Sequence, residues 1–346
     1  MKFKVNIRSH QALLISYKLS TREVDKCIRR LDIRQSDNLS YTTQSDLRVS
    51  AVQLKLRKYE ALWDYISDMN QYIEQAVNQR AQLVCFPEYA GLLPIFLIPS
   101  FSGLSASYKQ EGRTPEWTAA FDDFLSYFSD FIFDVYFHTM SELAKLHGVF
   151  IMAGSSLYFE HTKLHHRAFL FNNSGDLVGC QDKMSLSPLE QDLQLQPATE
   201  LKVFDTRLGA FSLLTGTDEQ HPMLAQIAKK LGAQALLSPR SMQDSVPPSP
   251  LTSGLGLRVQ ENHLFGIQSS MTGDTGLGFS LNGDTRIYSP NELLKVKNGT
   301  IAKALSAGEG EIISARLDLE ALSCLRNPYT QDRNRVLERK YLGKLP

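Results

Sequence analysis

Polar and apolar residues alternate from Val49 to Leu54, the pattern of a strand, and the period then lengthens. Between Tyr59 and Arg80, Leu62, Ile66, Met69, Ile73 and Val77 fall on one helical face. Gln82 to Phe86 is a short apolar strand that runs into Pro87-Glu88. Thr114-Pro115 supplies a cap and a first turn for a long helix reaching about Leu146. Val149 to Ala153 is strand-like, and Ala168 to Phe171 and Leu177 to Gln181 flank the turn Asn173-Ser174-Gly175-Asp176 as a hairpin. Further along come a strand, Gly209 to Thr215, a helix, Pro222 to Leu231, stopped by Gly232, and a strand, Ala233 to Leu237. A helix at Leu255 to His263 precedes the strand Phe265 to Met271, and hairpin-like segments follow at Gly278 to Ser289 and Glu311 to Leu317. Mixing βα units with hairpins predicts an α/β fold: a four-layer αββα sandwich of two mixed sheets with helices outside.

The ends differ from this repeating middle. Residues 1–46 form an N-terminal appendage, with a strand-like Phe3 to Ile7, a short charged helix within Thr21 to Arg34, and a polar stretch, Gln35 to Ser45, and are expected to pack on the core or on a second subunit. Residues 47–326 form the main domain, and 327–346 a C-terminal arm rich in Arg and Lys. Ser245 to Ser253 reads as a surface loop.

Composition narrows the function classes. The 346 residues are 42% hydrophobic and 21% charged, with zero formal net charge, so there is apolar mass for a large core and no long-range pull on nucleic acid or an anionic membrane. No apolar run approaches the ~18 residues that span a bilayer. Lys2 and Lys4 precede only a short apolar stretch, Ala12 to Ile15, too brief for a signal peptide, which favours a cytoplasmic location. Cys27, Cys85, Cys180 and Cys324 form no CxxC pair and read as thiols in a reducing compartment, so the sequons at Asn38, Asn172 and Asn298 are chance matches.

Chemistry is expected just beyond strand ends. In Cys85-Phe86-Pro87-Glu88-Tyr89 the proline stops a strand and leaves Glu88 at its tip, a general base if a buried cation keeps it ionised and a surface glutamate otherwise. In Asp182-Lys183-Met184-Ser185-Leu186-Ser187-Pro188-Leu189-Glu190, Lys183 is either an oxyanion partner or a loop lysine. The run Gly209 to Pro222 leads from a strand through a tight turn into a helix, the shape of a nucleophile elbow and also of an ordinary βα loop. Arg258-Val259-Gln260-Glu261-Asn262 fits a structural role, tying loops together. His165 and His166 are neighbours on a strand and point to opposite faces, with no acidic or thiol ligand close in sequence, so no metal site is expected. Gly273, Gly276 and Gly278 lead into no helix, and no dinucleotide or other cofactor is expected.

Taken in order, these segments resemble the nitrilase superfamily of carbon–nitrogen hydrolases over about residues 47–320. Phe-Pro-Glu resembles the family's catalytic carboxylate, giving Glu88, and Lys-x-x-Leu-x-Pro-x-Glu its lysine motif, giving Lys183. Glu160, ahead of Lys163-Leu164, falls where the family often carries a second glutamate. Gln53 and the turn Asp205 to Gly209 point the same way. The family's nucleophilic cysteine lies six residues before a proline. Counted back from Pro222, or forward from Gly209, that position holds Gly216, with Thr217 after it and Asp218 at the family aspartate. His165-His166 stands where the family often has an aromatic-Asn pair.

The resemblance implies a reaction in which a thiolate attacks a nitrile or amide carbon. Glu88 would move the proton, and Lys183 with the amide of residue 217 would hold the oxyanion. Glycine cannot begin those covalent steps. The expectation is therefore a non-hydrolytic or regulatory protein binding a small amide, carboxylate or acyl group around Gly216, Thr217 and Asp218. The resemblance also implies association into a homo-oligomer. The alternative is an active amide or nitrile hydrolase, or an acyl transferase, with altered chemistry around Glu88 and Lys183.

Overall fold

The computed structural model describes residues 18–31, 46–242, 254–277, 279–296, 298–329, 336 and 340. The expected strand at Phe3 to Ile7, the polar stretch Gln35 to Ser45, the loop Ser245 to Ser253 and most of the 327–346 arm lie outside these residues.

The strands, in chain order, are β1 (Leu47–Lys55), β2 (Leu83–Cys85), β3 (Phe150–Glu160), β4 (Lys163–Phe171), β5 (Leu177–Asp182), β6 (Phe204–Thr206), β7 (Gly209–Leu213), β8 (Ala235–Ser241), β9 (Phe265–Asp274), β10 (Ser280–Leu281), β11 (Arg286–Tyr288), β12 (Thr300–Lys303) and β13 (Glu311–Leu317). The α-helices are α1 (Thr21–Ile28), α2 (Leu62–Asn78), α3 (Phe101–Glu111), α4 (Pro115–His147), α5 (Pro188–Asp192), α6 (Pro222–Lys230), α7 (Gly254–Asn262) and α8 (Leu319–Tyr329). Thr114 caps α4 as its sequence suggests: its hydroxyl accepts from the Trp117 amide at 3.1 Å.

Side-chain alternation explains the layering. Leu47, Val49, Ala51, Leu83, Cys85, Phe150 and Met152 share one core with Phe211, Leu213, Ala235, Leu237, Phe265 and Ile267. The alternate residues Val52, Leu54, Val84, Phe86, Ile151 and Ala153 pack on the opposite face, against α2 and α4. On β8 the alternate residue Leu236 joins Leu224, Ala225 and Leu255 of α6 and α7. The mixed α/β class agrees with expectation. The strands follow one hydrogen-bonded path, β5-β4-β3-β2-β1-β9-β8-β7-β6, because β1 runs past β2 and pairs with β9 through Leu54 and Lys55.

Between β2 and α4 the chain forms the 3-10 helix Ala90–Leu97 and α3, set at 107° to one another. At the other end α8 runs to Tyr329. Among the described residues no single helix is long and apolar enough to cross a membrane. Helix α1 packs on the core through Val24 and Cys27, and its Asp25 meets His138 of α4 at 2.7 Å.

Candidate active site

Glu88 follows β2 in a turn that two details fix. Tyr89 takes a left-handed φ of 62°, and its amide donates to Ser155 Oγ at 3.1 Å. Gly154 passes so close that an added Cβ would lie 2.0 Å from the Pro87 carbonyl oxygen, so glycine is required there. The result is a glutamate only 2% exposed.

Lys183 reaches the same point from β5. Its amide extends the β4–β5 ladder to the His166 carbonyl at 2.8 Å, and its ammonium donates to Glu88 Oε1 at 2.9 Å and to Glu190 Oε1 at 3.0 Å. Glu190 lies on α5, where it completes a capping box: the Ser187 amide donates to its Oε2 at 2.6 Å. Burial alone would lower the pKa of Lys183, but the two carboxylates outweigh it and hold it up at about 12. Burial would likewise raise that of Glu190, but His166, Lys183 and the Ser187 amide hold it well below the usual carboxylate range.

His166 closes the cluster. Its Nδ1 lies 2.5 Å from Glu190 Oε1, its Nε2 2.7 Å from Ser155 Oγ, and its ring stacks on Tyr89 with centroids 4.4 Å apart. The Tyr89 hydroxyl donates to the same Glu190 oxygen at 2.8 Å. Because Ser155 Oγ accepts the Tyr89 amide, its own hydrogen is free for Nε2, which fits an imidazole donating from Nδ1 to Glu190. Sequence reasoning found no acid near the histidine pair, whereas folding brings Glu88 and Glu190 to His166, with donor atoms within 4.8 Å of one another. That is a possible divalent-ion donor set, but Lys183 already supplies the cation between the two carboxylates.

The elbow supplies the opposite wall. After β7 the chain enters a 3-10 turn, Gly216–Gln220, with Gly216 at φ 55°. A Cβ at residue 216 would lie 2.3 Å from Glu88 Oε1 and 2.8 Å from Oε2. Asp218, fully buried, accepts from the amides of Ser185 (2.6 Å), Met184 (3.1 Å) and Thr215 (3.3 Å), and the Thr217 hydroxyl donates to the Ser185 carbonyl. These two side chains clasp the elbow to the Lys183 loop. Burial raises the pKa of Asp218, with the amide donors opposing it.

At the end of β8, Ser241 directs both its amide (2.8 Å) and its hydroxyl (2.7 Å) at Glu88 Oε2. Next to it Arg240 meets the fully buried Glu219 at 3.2 Å, and Ser238 donates to Glu219 at 2.7 Å. A cavity of about 490 Å³ opens over this ground, lined among others by Glu88, Lys183, Gly216, Thr217, Arg240 and Ser241. A larger surface cleft near Thr118, Thr162 and Gln196, about 790 Å³, touches none of these six.

The structure thus brings Glu88, Lys183, Gly216, Thr217 and Asp218 together and leaves Glu160 out. Glu160 ends β3 with its side chain 45% exposed, paired with Arg167 at 3.0 Å, which in turn binds Asp182. The buried second glutamate is Glu190, and its signal was legible: Ser187-Pro188-Leu189-Glu190 is a capping box inside the lysine motif. Ser241 and Tyr89 had no comparable signal. In the helix Arg258 to Asn262, Gln260 does tie loops, donating to the Ser289 carbonyl and accepting from the Asn291 amide. None of the four cysteines lines the cavity: Cys27 and Cys85 are buried, Cys180 is half-buried on β5, and Cys324 is exposed on α8.

The family model of the carbon–nitrogen hydrolases matches residues 48–327. Among curated proteins, the chain is 23% identical to a probable hydrolase, YhcX, of Bacillus subtilis over 82% of its own length, and spans about half (52%) of that protein. It is also 23% identical to the omega-amidase NIT2 of Danio rerio, over 85% of this chain and 96% of that one. Among solved structures, Saccharomyces cerevisiae Nit3, a nitrilase-superfamily member, superposes with a TM-score of 0.63 at 20% identity, covering 87% of this chain and 99% of that chain. A carbon–nitrogen hydrolase of Helicobacter pylori G27 does so with a TM-score of 0.65 at 19% identity, over the same shares.

Proposed function

The chain belongs to the carbon–nitrogen hydrolase family, and we propose that it binds a small amide, carboxylate or acyl compound beside Glu88 and Lys183 without the family's covalent hydrolysis. One observation carries this reading. At the elbow position that the resemblance assigns to the nucleophile stands Gly216, and the Glu88 carboxylate lies where a side chain would begin, 2.3 Å from a Cβ built there. Without a thiolate the family's thioester cannot form, and in a serine hydrolase loss of the nucleophile costs on the order of a millionfold in rate. What remains suits recognition: a cavity with a buried ammonium, a serine hydroxyl and a bare glycine in the turn. On the same reading the layers form an αββα sandwich, with the core shared by β1–β3 and β7–β9 as its centre.

A second reading has its own observation. Ser241 Oγ sits 2.7 Å from Glu88, within reach of a base that Lys183 orients, the arrangement of an activated nucleophile. Attack by Ser241 Oγ on an amide carbon, its proton passing to Glu88 and on to the nitrogen as the C–N bond breaks and the amine leaves, would make an ester where the family makes a thioester.

One experiment separates the two. The protein is offered short amides, nitriles and esters, with turnover and melting temperature both followed. Binding without chemistry gives a rise in melting temperature, no turnover, and loss of the rise in folded Lys183→Met or Glu88→Gln. Turnover abolished by Ser241→Ala establishes the second reading. Turnover that survives Ser241→Ala overturns both.

A further inference from the structure

Adjoining the Glu88–Lys183 cavity is a second, apolar chamber of about 200 Å³, walled by Leu93, Phe101, Trp117, Phe121, Met271 and Leu277 among others. The two spaces share Tyr89, Leu189, Ser241, Phe279 and Leu281, so they meet at the serine that holds Glu88. We infer that the ligand of this site is amphipathic: its amide, carboxylate or acyl head sits by Glu88 and Lys183, and an aryl ring or an alkyl group of about six carbons fills this chamber. The inference rests on the proposed reading of the Glu88–Lys183 cavity as a ligand site.

Three observations carry it. The first is size. An engineered cavity of about 150 Å³ lined by Leu, Ile and Phe stays dry and takes up benzene, so 200 Å³ holds a ring with a carbon or two beyond it. The second is the lack of free polar groups in the wall. Among the described lining residues Glu190 is the one acidic or basic side chain, and Lys183, His166, Tyr89 and the Ser187 amide already occupy its oxygens. Thr275 is turned to the Phe279 carbonyl at 2.7 Å. A ligand with a second charged end would strand that charge here. The third is construction. The walls come from the 3-10 helix Ala90–Leu97, α3, the start of α4 and the residues Met271, Thr275, Leu277, Phe279 and Leu281, and Trp117 is fixed by its indole donating to the Leu104 carbonyl at 3.0 Å. A wall pinned in this way defines a preformed subsite.

The test is calorimetry on the full chain with acetamide, hexanamide, phenylacetamide and glutaramate, the last a short amide with a charged far end. At about fourfold per buried methylene, hexanamide should bind on the order of a hundredfold more tightly than acetamide, and glutaramate no more tightly than acetamide. Toluene should compete with hexanamide and not with acetamide. Leu277→Trp, which fills the chamber from its half-buried rim, should erase the hexanamide advantage and leave acetamide binding intact. If acetamide binds and the longer amides gain nothing, the apolar subsite is refuted and the Glu88–Lys183 reading stands. If none of the four binds, both fall. If the advantage survives in folded Leu277→Trp and toluene does not compete, the chamber is not where the tail lies.

Discussion

Replacing Gly216 by alanine tests the central geometry directly. The new Cβ would stand 2.3 Å from Glu88 Oε1, so the carboxylate must withdraw by about 1 Å to reach an ordinary contact. It is held by Lys183 at 2.9 Å and by the Ser241 amide and hydroxyl at 2.8 and 2.7 Å. Losing one hydrogen bond to a charged group costs about 1.5–3 kcal/mol. A left-handed φ of 55° adds roughly 1–2 kcal/mol for a residue with a Cβ, and the stiffer unfolded chain returns about 0.4–1 kcal/mol. Gly216→Ala should therefore destabilise the fold by about 2–4 kcal/mol. In a Glu88→Ala background the collision is gone and only the backbone cost remains, so the same change should cost about 1 kcal/mol or less. The assay is urea unfolding of the wild type, both single variants and the double variant, with a coupling energy of about 2 kcal/mol expected from the cycle. Equal costs of Gly216→Ala in both backgrounds, with coupling under about 0.5 kcal/mol, would refute the claim that Glu88 fills the space beside residue 216.

Three other predictions concern separate parts of the molecule. Glu190→Gln should destabilise by about 1.5–3 kcal/mol, because His166 and Lys183, which keeps Glu88, each lose a buried charged acceptor, whereas the half-exposed Glu160→Gln should cost under about 1 kcal/mol; equal effects in chemical denaturation would reverse the assignment of the second glutamate. Asp218→Asn should cost about 1–3 kcal/mol and weaken ligand-induced stabilisation, since the amides of Met184 and Ser185 lose a charged acceptor and the elbow loosens from the lysine loop; unchanged denaturation midpoints would remove the clasp from the account. Burial lowers the pKa of His147 from 6.5 to about 4, so the unfolded chain binds the extra proton between those values and stability falls as pH drops from about 6.5 toward 4, by about 3 kcal/mol in full. His147→Asn should flatten that part of the stability–pH curve, and an unaltered slope would show that another group titrates there.

Periodicity carried most of the architecture. The amphipathic spacing from Leu62 to Val77 and the Thr114-Pro115 start located α2 and α4, because such signals depend on neighbours within one or two turns. The joining of the strands through Leu54 and Lys55 was not legible, since nothing local records which distant strand meets the end of β1. The same distinction divides the site. Glu88 and Lys183 carry flanking prolines and leucines that mark them, while Ser241 becomes a partner of Glu88 only because β8 ends 153 residues away in sequence and beside it in space. Glu160 misled because it precedes the β3–β4 turn as a site glutamate could, yet the strand carries it outward to Arg167. His166 was seen, but as one of a pair on opposite strand faces. That geometry, correct in itself, concealed that the inner face holds Glu190.

The buried cluster also bears on what a retained acid and amine can mean. Glu88, Glu190 and Lys183 are each at most 2% exposed, and each neutralises or orients another. Removing Lys183 leaves two buried carboxylates without their cation, at a cost of roughly 3–5 kcal/mol, comparable with the whole stability margin of many domains, and removing either glutamate takes a charged acceptor from the ammonium, at about 1.5–3 kcal/mol. A residue at position 216 has no such role: it bears no charge of the cluster, and glycine there relieves contact with Glu88 and the left-handed backbone at once. Folding alone is therefore enough to hold the acid and the amine in place in a chain that catalyses nothing, and their presence is neutral evidence about turnover. Residues 216 and 241 are different, because the fold does not require a thiol at one or a hydroxyl at the other. Ser241 also gives Glu88 a hydrogen bond through its main-chain amide, so Ser241→Ala removes one of two bonds, at about 1.5–3 kcal/mol, and a folded Ser241→Ala protein that still binds ligand but has lost turnover reads the chemistry of that hydroxyl.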